Sequence, residues 1–515
     1  MTPISEYAIV VGPNDNVAVV KKETFVDLEV LLPNGAPVKL RDAVPPGHRF
    51  ATRDIRAGEF VTQFGQPIGT SLGIESGAQI THGNMSNDVP LIRELPDSLH
   101  TPPPDYIPEA ERRTFMGFRR NDGRVGTRNC VLIVPTSMCA SHEAQQISMI
   151  AEFTLYSRDK YPNVDGVVAI PHNKGCGCQD GSTIDVMLRT LSNYADHPNV
   201  GGVILIDLGC EKTNLSQVEK YLLKREKLFD KPVAKIGIQE VGGTQAAIQQ
   251  GLNEVERMLP EVNRAARAEC SVSEIVLGVK CGGSDGFSGI SANPSLGRAA
   301  DLLVRSGGTV LITEVPEFCG AEHLLACRAK DVETGREVYR MVDWYKEYAS
   351  KFGAVLAQNP SPGNITGGLL NITIKSLGAI AKAGTTRVEG VLEYAESWKT
   401  RGLNLMQGPG YDQESTPGLV AAGATVVVFT TGRGTTIGNA IAPVIKLASN
   451  TPIFERMKND LDLSAGGVID GTETINEVGQ RVFDHVIAVA SGLEAKAETH
   501  KHREFQFWAE QTVSL

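Results

Sequence analysis

No stretch of this 515-residue chain approaches the ~18 uninterrupted apolar residues of a membrane-crossing helix, so a transmembrane segment is not expected. Long basic clusters are missing too. With 50 basic against 60 acidic residues the net charge is −10, which argues against a nucleic-acid partner. A small anionic ligand stays compatible with that charge, because a local arginine, lysine, backbone amide or metal outweighs a modest global excess. The N-terminus, Met1-Thr2-Pro3-Ile4-Ser5-Glu6, has no charged region followed by an apolar segment, so no secretory leader is expected and a cytoplasmic enzyme is the default. Zinc-type cysteine spacing is also lacking: Cys176-Gly177-Cys178 is not C-x-x-C, and nine cysteines, an odd number, do not read as a disulfide framework.

What is present is a rhythm. Apolar, β-prone runs at residues 130–134, 166–170, 203–206, 275–277, 309–312 and 425–429 end in small or polar loops, and most are followed by helix-like segments. That alternation predicts an α/β fold with a mostly parallel, Rossmann-like sheet covered on both faces. Length alone suggests two to four domains. A small β-rich unit is expected over residues 1–86, a proline-rich extended linker over 87–112, and α/β catalytic domains over 113–265 and 266–495. The charged tail, 496–515, is expected to be peripheral.

In such a sheet the loops after the strands gather on one edge, where ligands bind. The richest of them is Lys280-Cys281-Gly282-Gly283-Ser284-Asp285-Gly286-Phe287-Ser288-Gly289. Its glycines let backbone N–H groups approach an anion, and Ser284 and Asp285 add directional contacts. It matches neither the Walker A pattern nor G-x-G-x-x-G, so a nucleotide loop is not expected. His172 begins a second such loop, Glu211-Lys212 closes a third beside Gly209-Cys210, and Thr431-Gly432-Arg433-Gly434 forms another. Arg433 suits bidentate capture of a carboxylate. Together these loops predict a polar, glycine-lined cleft. His48 and His82, each beside a glycine in the β unit, suit metal ligation or proton transfer. Cys139, Cys176, Cys210 and Cys281 at the loops are either metal ligands or packed thiols, and Cys130 and Cys270 read as buried thiols.

Residues 117–129, Gly-Phe-Arg-Arg-Asn-Asp-Gly-Arg-Val-Gly-Thr-Arg-Asn, resemble a motif of the altronate/galactarate dehydratase family of sugar-acid hydro-lyases. So do Tyr161 to Val168, Cys210-Glu211-Lys212, Cys281 to Gly289, Asn359 to Asn364, Pro409-Gly410-Tyr411-Asp412 and Phe429 to Gly434, in order over nearly the whole chain. The region around His48 and His82 resembles the small β-clip (SAF) domain of that family. Glu314-Val315-Pro316-Glu317, Glu322-His323, Glu393 to Glu396 and Pro409 to Asp412 look closer to altronate than to galactarate dehydratases. One departure concerns Asp462-Leu463-Ser464-Ala465-Gly466, where family members often carry a cysteine before the glycine.

The resemblance implies β-elimination of water from an aldonic or aldaric acid, D-altronate foremost and galactarate second, giving a 2-keto-3-deoxy acid. It also implies Fe²⁺ or Mn²⁺, which would polarise the substrate carboxylate. His48, His82, His172, Glu211 and Asp285 are then the candidates for base, acid and metal contacts, with His48, His82 and Cys281 as metal ligands. Lys212, Ser284, Thr431 and Arg433 are the candidates for holding the sugar acid. An iron–sulfur cluster on converging Cys139, Cys176, Cys210 and Cys281 is the mechanistic runner-up. A sugar-acid-binding protein without catalysis is the alternative of another class. The expected partner is the small sugar acid, with a homo-oligomer in keeping with a large enzyme.

Overall fold

The computed structural model describes residues 2–223 and 231–509. Counting only the strands of its two parallel sheets, the first comprises β1 (Cys130–Pro135), β2 (Val167–Ala169), β3 (Val200–Asp207) and β4 (Val233–Gly237), in the order β2-β1-β3-β4. The second comprises β5 (Val276–Cys281), β6 (Thr309–Ile312), β7 (Val388–Leu392), β8 (Gly402–Met406), β9 (Val426–Thr431), β10 (Val444–Ala448) and β11 (Leu463–Ser464). Its order is β7-β8-β6-β5-β9-β10-β11, and every pairing in both sheets is parallel. All six apolar runs of the sequence form strands of these sheets. They are continuous rather than alternating because both faces are covered.

Alternate residues of one strand serve different cores. In β1, Val131 and Ile133 pack with Ile147 and Met258 on the outer side, while Leu132 and Val134 face inward. That inner core also takes Val427 and Phe429 of β9, so the two sheets share one apolar layer. The opposite face of the second sheet, through Leu277 and Val428, shares its core with Val61 and Ile68 of the N-terminal domain. The long connection from β6 to β7 is helical, and β7 and β8 extend one edge of the same sheet.

The N-terminal domain is built of short strands such as Val17–Val20, Arg49–Ala51, Phe60–Gln63 and Gln66–Ser71. The proline-rich segment after it is extended and strapped down. Arg93 pairs with Asp343 at 2.7 Å and Glu322 at 3.2 Å, and the Ile107 amide donates to the Arg305 carbonyl at 2.7 Å.

Of the tail, residues 496–509 are described and 510–515 lie outside the described residues; the described part departs from expectation. Instead of lying at the periphery, Phe505, Phe507 and Trp508 are buried in the layer between the sheets. Phe507 stacks tilted on His172 with ring centroids 4.5 Å apart, and Trp508 meets Tyr394 at 5.5 Å. Large rings each bury on the order of 200 Å², which outweighs the charged residues that make this segment look peripheral in sequence. No helix among the described residues is long and apolar enough to cross a membrane.

Candidate active site

The C-terminal ends of β5 and β6 meet in a buried ionic cluster. Lys280 is the penultimate residue of β5, and its ammonium donates to Glu314, to Asp412 at 2.6 Å and to the Cys281 carbonyl at 3.2 Å. Glu314 follows β6 with φ of 76°, a left-handed conformation unfavourable to a side-chain-bearing residue, and opens a 3-10 turn that carries Glu317. Lys382 lies 3.1 Å from both the Glu314 carboxylate and the Cys281 sulfur. The Cys281 thiol donates to Glu317 at 3.2 Å, and Lys375 completes the set 2.8 Å from Glu317. Lys280, Lys382, Glu314 and Glu317 are almost wholly inaccessible to solvent.

Charge explains how these groups coexist. The ammoniums of Lys280, Lys375 and Lys382 balance the carboxylates of Glu314, Glu317 and Asp412, so each desolvated ion is paired. Burial would discharge Lys280, but Asp412 and Glu314 overrule it and hold it protonated well above the ordinary lysine range. Burial alone would raise Glu317; Lys375, Lys382 and Lys280 instead bring it down to about 2. Glu314 is raised by burial and by Glu317, and burial together with the two glutamates keeps Cys281 a thiol.

Next to the cluster, the glycine-rich loop is fixed by Asp285. Its carboxylate accepts hydrogen bonds from the Ser288 amide and hydroxyl, from Ser449 and from Asn450, at 2.8–2.9 Å. Gly283 is tied to the loop after β9, its carbonyl accepting from the amides of Gly432 and Arg433. The N-terminal domain docks here backbone to backbone: a Cβ on Gly286 or on Gly368 would lie 2.1 Å from the Gly47 carbonyl oxygen. Beside this seam lies a cavity of about 500 Å³, lined by Lys21 of the N-terminal domain and by Asp285, Arg433, Arg456 and Asp470. Ser284 Oγ and Gln63 Nε2 are buried without a hydrogen-bond partner among the described residues, and both residues line a small recess together with Lys375.

Three family models cover the chain in succession: the altronate/galactarate dehydratase SAF domain over residues 6–88, the D-galactarate dehydratase/altronate hydrolase second domain over 117–263, and the D-galactarate/altronate dehydratase C-terminal domain over 272–513. Altronate dehydratase of Bacillus subtilis is 35% identical over 477 residues, 91% of this chain and 92% of that protein. The chain belongs to the altronate/galactarate dehydratase family. Galactarate dehydratase (L-threo-forming) of Escherichia coli is 38% identical over 95% of the chain and 94% of its own length. The (2R)-sulfolactate sulfo-lyase subunit beta of Chromohalobacter salexigens is 33% identical over 77% of the chain and 97% of its own length.

In this family member the residues singled out from sequence fall into separate places. Asp285, Ser284, Thr431 and Arg433 come together around the glycine-rich loop, with Cys281 in the ionic cluster behind it. His48 is half-buried at the seam, its Nε2 3.1 Å from the Thr366 carbonyl oxygen, and burial lowers its pKa. His82 is exposed in a turn of the SAF domain. His172, Glu211 and Lys212 lie at the edge of the first sheet. His172 is buried and held neutral, its pKa pushed down to about 4 by burial. Its Nε2 is 2.9 Å from the Pro135 carbonyl oxygen and its Nδ1 accepts from the Lys174 amide at 3.3 Å. Glu211 accepts from Thr136, Ser137 and the amides of Leu208 and Gly209 at 2.8–3.0 Å. Lys212 pairs with Asp180 at 3.0 Å.

Most of the cluster carries no functional signal in the sequence. Lys280, Glu314, Glu317 and Asp412 lie in motifs that give them no role, and Lys375 and Lys382 lie outside those motifs. Lys382 had a signal: a lysine inside the small, apolar run Gly378-Ala379-Ile380-Ala381-Lys382-Ala383 needs a buried partner.

Cys281, Glu314 and Glu317 offer a sulfur and two carboxylate oxygens within 4.8 Å of one another, a spacing that suits one cation. The donor chemistry does not fit a divalent ion, however. Lys382 already contacts the Cys281 sulfur and Glu314, and Lys280 and Lys375 saturate the carboxylates. An added dication would face three ammoniums at close range.

Proposed function

We propose that this protein removes water from a six-carbon sugar acid to give a 2-keto-3-deoxy acid, with D-altronate as the first substrate and galactarate or another aldarate as the second. The observation that carries this reading is the buried lysine–carboxylate cluster at the strand ends, near a cleft of about 500 Å³ that presents Lys21, Arg433 and Arg456 among three carboxylates. A protein that only captured sugar acids would need no more than the cations that face the cleft; the buried ionic cluster behind it is what adds groups able to move protons. Of the stretches that look closer to altronate dehydratases, two contribute Glu314, Glu317 and Asp412 to the cluster.

The chemistry assigns roles. Arg433, with Lys21 and Arg456 in the same cleft, pairs with the substrate carboxylate, and Ser284 and Thr431 lie within the loops that receive its hydroxyls. Asp412 is the cluster carboxylate that reaches solvent, and Lys280 holds it in place, so Asp412 takes the C2 proton. Lys375, which lines the recess with Ser284, supplies a proton to the departing 3-hydroxyl. The fixed ammoniums stabilise the negative charge that develops as the C2 proton leaves. His48 stands behind the cleft wall formed by Thr366, and with His82 it offers proton transfer from the SAF domain. His172, Glu211 and Asp285 spend their acceptors on the protein and act as positioning residues.

The test is a panel of hexonates and hexarates, each with Fe²⁺, Mn²⁺ or Mg²⁺, scored for 2-keto-3-deoxy product. Turnover of altronate above all others supports the reading. Binding of several sugar acids without turnover of any would replace it with the non-catalytic alternative.

A further inference from the structure

The edge of the four-stranded sheet carries a second constellation. Cys139, Cys176 and Cys210 follow β1, β2 and β3, which are neighbours in the sheet. All three thiols are exposed. The Cys176 thiol shares a hydrogen bond with that of Cys139 and is within electrostatic reach of Cys210 and Glu211. Gln239 donates to the Cys210 sulfur at 3.8 Å.

The loops bearing these thiols are stitched together beneath them. Glu211 receives the hydroxyls of Thr136 and Ser137 from the first loop and the amides of Leu208 and Gly209 from the third. The Met138 amide donates to the Lys174 carbonyl at 2.7 Å, joining the first loop to the second. Gly175 makes that contact sterically possible, since a Cβ there would lie 2.5 Å from the Ser137 Cβ. The backbone is thus built to hold three sulfurs side by side, whereas the remaining thiol of this region, Cys178, turns into the apolar core.

We propose that Cys139, Cys176 and Cys210 ligate an iron–sulfur cluster through three of its irons, leaving one iron open to an oxygen of an anionic ligand. A single tetrahedral ion would require sulfurs roughly 3.8 Å apart, given metal–sulfur bonds of about 2.3 Å. The three thiols do not all lie within 4.8 Å of one another, too wide a spread for one ion, and a cluster in which each thiolate takes a different iron fits once the Cys139 and Cys176 thiols give up their mutual hydrogen bond and part. Each thiol loses its proton as its sulfur–iron bond forms, and Lys174 lies two residues before Cys176 to offset the resulting negative charge. Cys281, which also ends a strand, is no fourth ligand: its sulfur is held by Glu317 and Lys382 in the other sheet. An open iron is a Lewis acid for a hydroxyl or carboxylate oxygen. Its use in dehydration rests on the function proposed above, but the ligand assignment does not.

The test is anaerobic reconstitution of the full chain with ferrous and ferric iron and sulfide, read by visible absorption and by iron and sulfide content. The wild type should turn brown and hold about four irons and four sulfides per chain. Cys139→Ser, Cys176→Ser and Cys210→Ser should each lose most of the colour while keeping the wild-type circular dichroism, and Cys327→Ser should keep both. A colourless wild type, one metal ion without sulfide, or full colour in Cys176→Ser would each overturn the assignment. Because none of these readouts uses turnover, they separate its failure from failure of the dehydratase reading.

Discussion

At the C-terminal edge of the seven-stranded sheet, lysines and carboxylates are sealed from water and paired with one another. At the same edge of the four-stranded sheet, three thiols stand exposed on the loops after the strands, with their supporting polar groups turned inward. Both edges come from the same rule, that loops after parallel strands collect functional groups. They differ in what holds them. Removing one member of the sealed set leaves an unpaired ion in an apolar surround, whereas removing an exposed thiol leaves the fold untouched. Stability and chemistry are therefore coupled at one edge and separable at the other.

The largest expected effect tests that coupling directly. Lys280→Met leaves Asp412 without a cation and Glu314 with Lys382 alone, and urea denaturation should show a loss of about 3–5 kcal/mol. Cys176→Ser should stay within about 0.5 kcal/mol of the wild type in the same assay. Equal losses in the two variants would erase the distinction.

The second effect is of pH. His172 is held neutral with its pKa lowered from 6.5 to about 4, so the unfolded chain binds the proton more readily in that window. Stability is complete above pH 6.5 and falls as the pH drops towards 4, by at most about 3 kcal/mol from this residue. Glu317 is also lowered, from 4.5 to about 2, and its share is lost as the pH falls from 4.5 towards 2. His172→Gln should make the fall through the upper window shallower, the buried His197 keeping part of it, and leave the lower window unchanged, which urea midpoints measured across the two ranges would reveal.

Gly286→Ala should cost about 1–3 kcal/mol and loosen the SAF domain, because the added methyl meets the Gly47 carbonyl. Faster proteolysis in the proline-rich segment and loss of turnover would report it. Smallest in stability is Arg433→Ala: an exposed side chain, it should leave the melting curve in place while raising KM for the sugar acid roughly tenfold. A lowered kcat at unchanged KM would remove Arg433 from substrate binding.

Much of the architecture was legible because fully buried parallel strands write themselves as apolar runs, and the loops after them as glycine and polar residues. Strands such as β4 and β8 were less visible. Lys235 interrupts the first and Asn404 the second, so neither reads as a plain apolar run. The ionic cluster was half legible for a different reason. Cys281 lies in a local motif, but Lys375, Lys382 and Asp412 arrive from segments about 94 to 131 residues further on, and nothing in a linear pattern pairs them with it. The tail misled because its charged residues are local and countable, while the cavity that takes Phe507 and Trp508 exists only after two sheets have met.

The seam between Gly47 and Gly286 has an evolutionary consequence. Where side chains touch, a change on one partner can be repaired by a complementary change on the other. Here a carbonyl oxygen rests where a Cβ would be, and no exchange at position 47 makes room for one at position 286 or 368. The contact has no second solution, so it leaves no covarying pair behind. Searches that infer domain docking from correlated substitutions will be blind to this interface, and its trace in a family would be glycine at these positions on both sides.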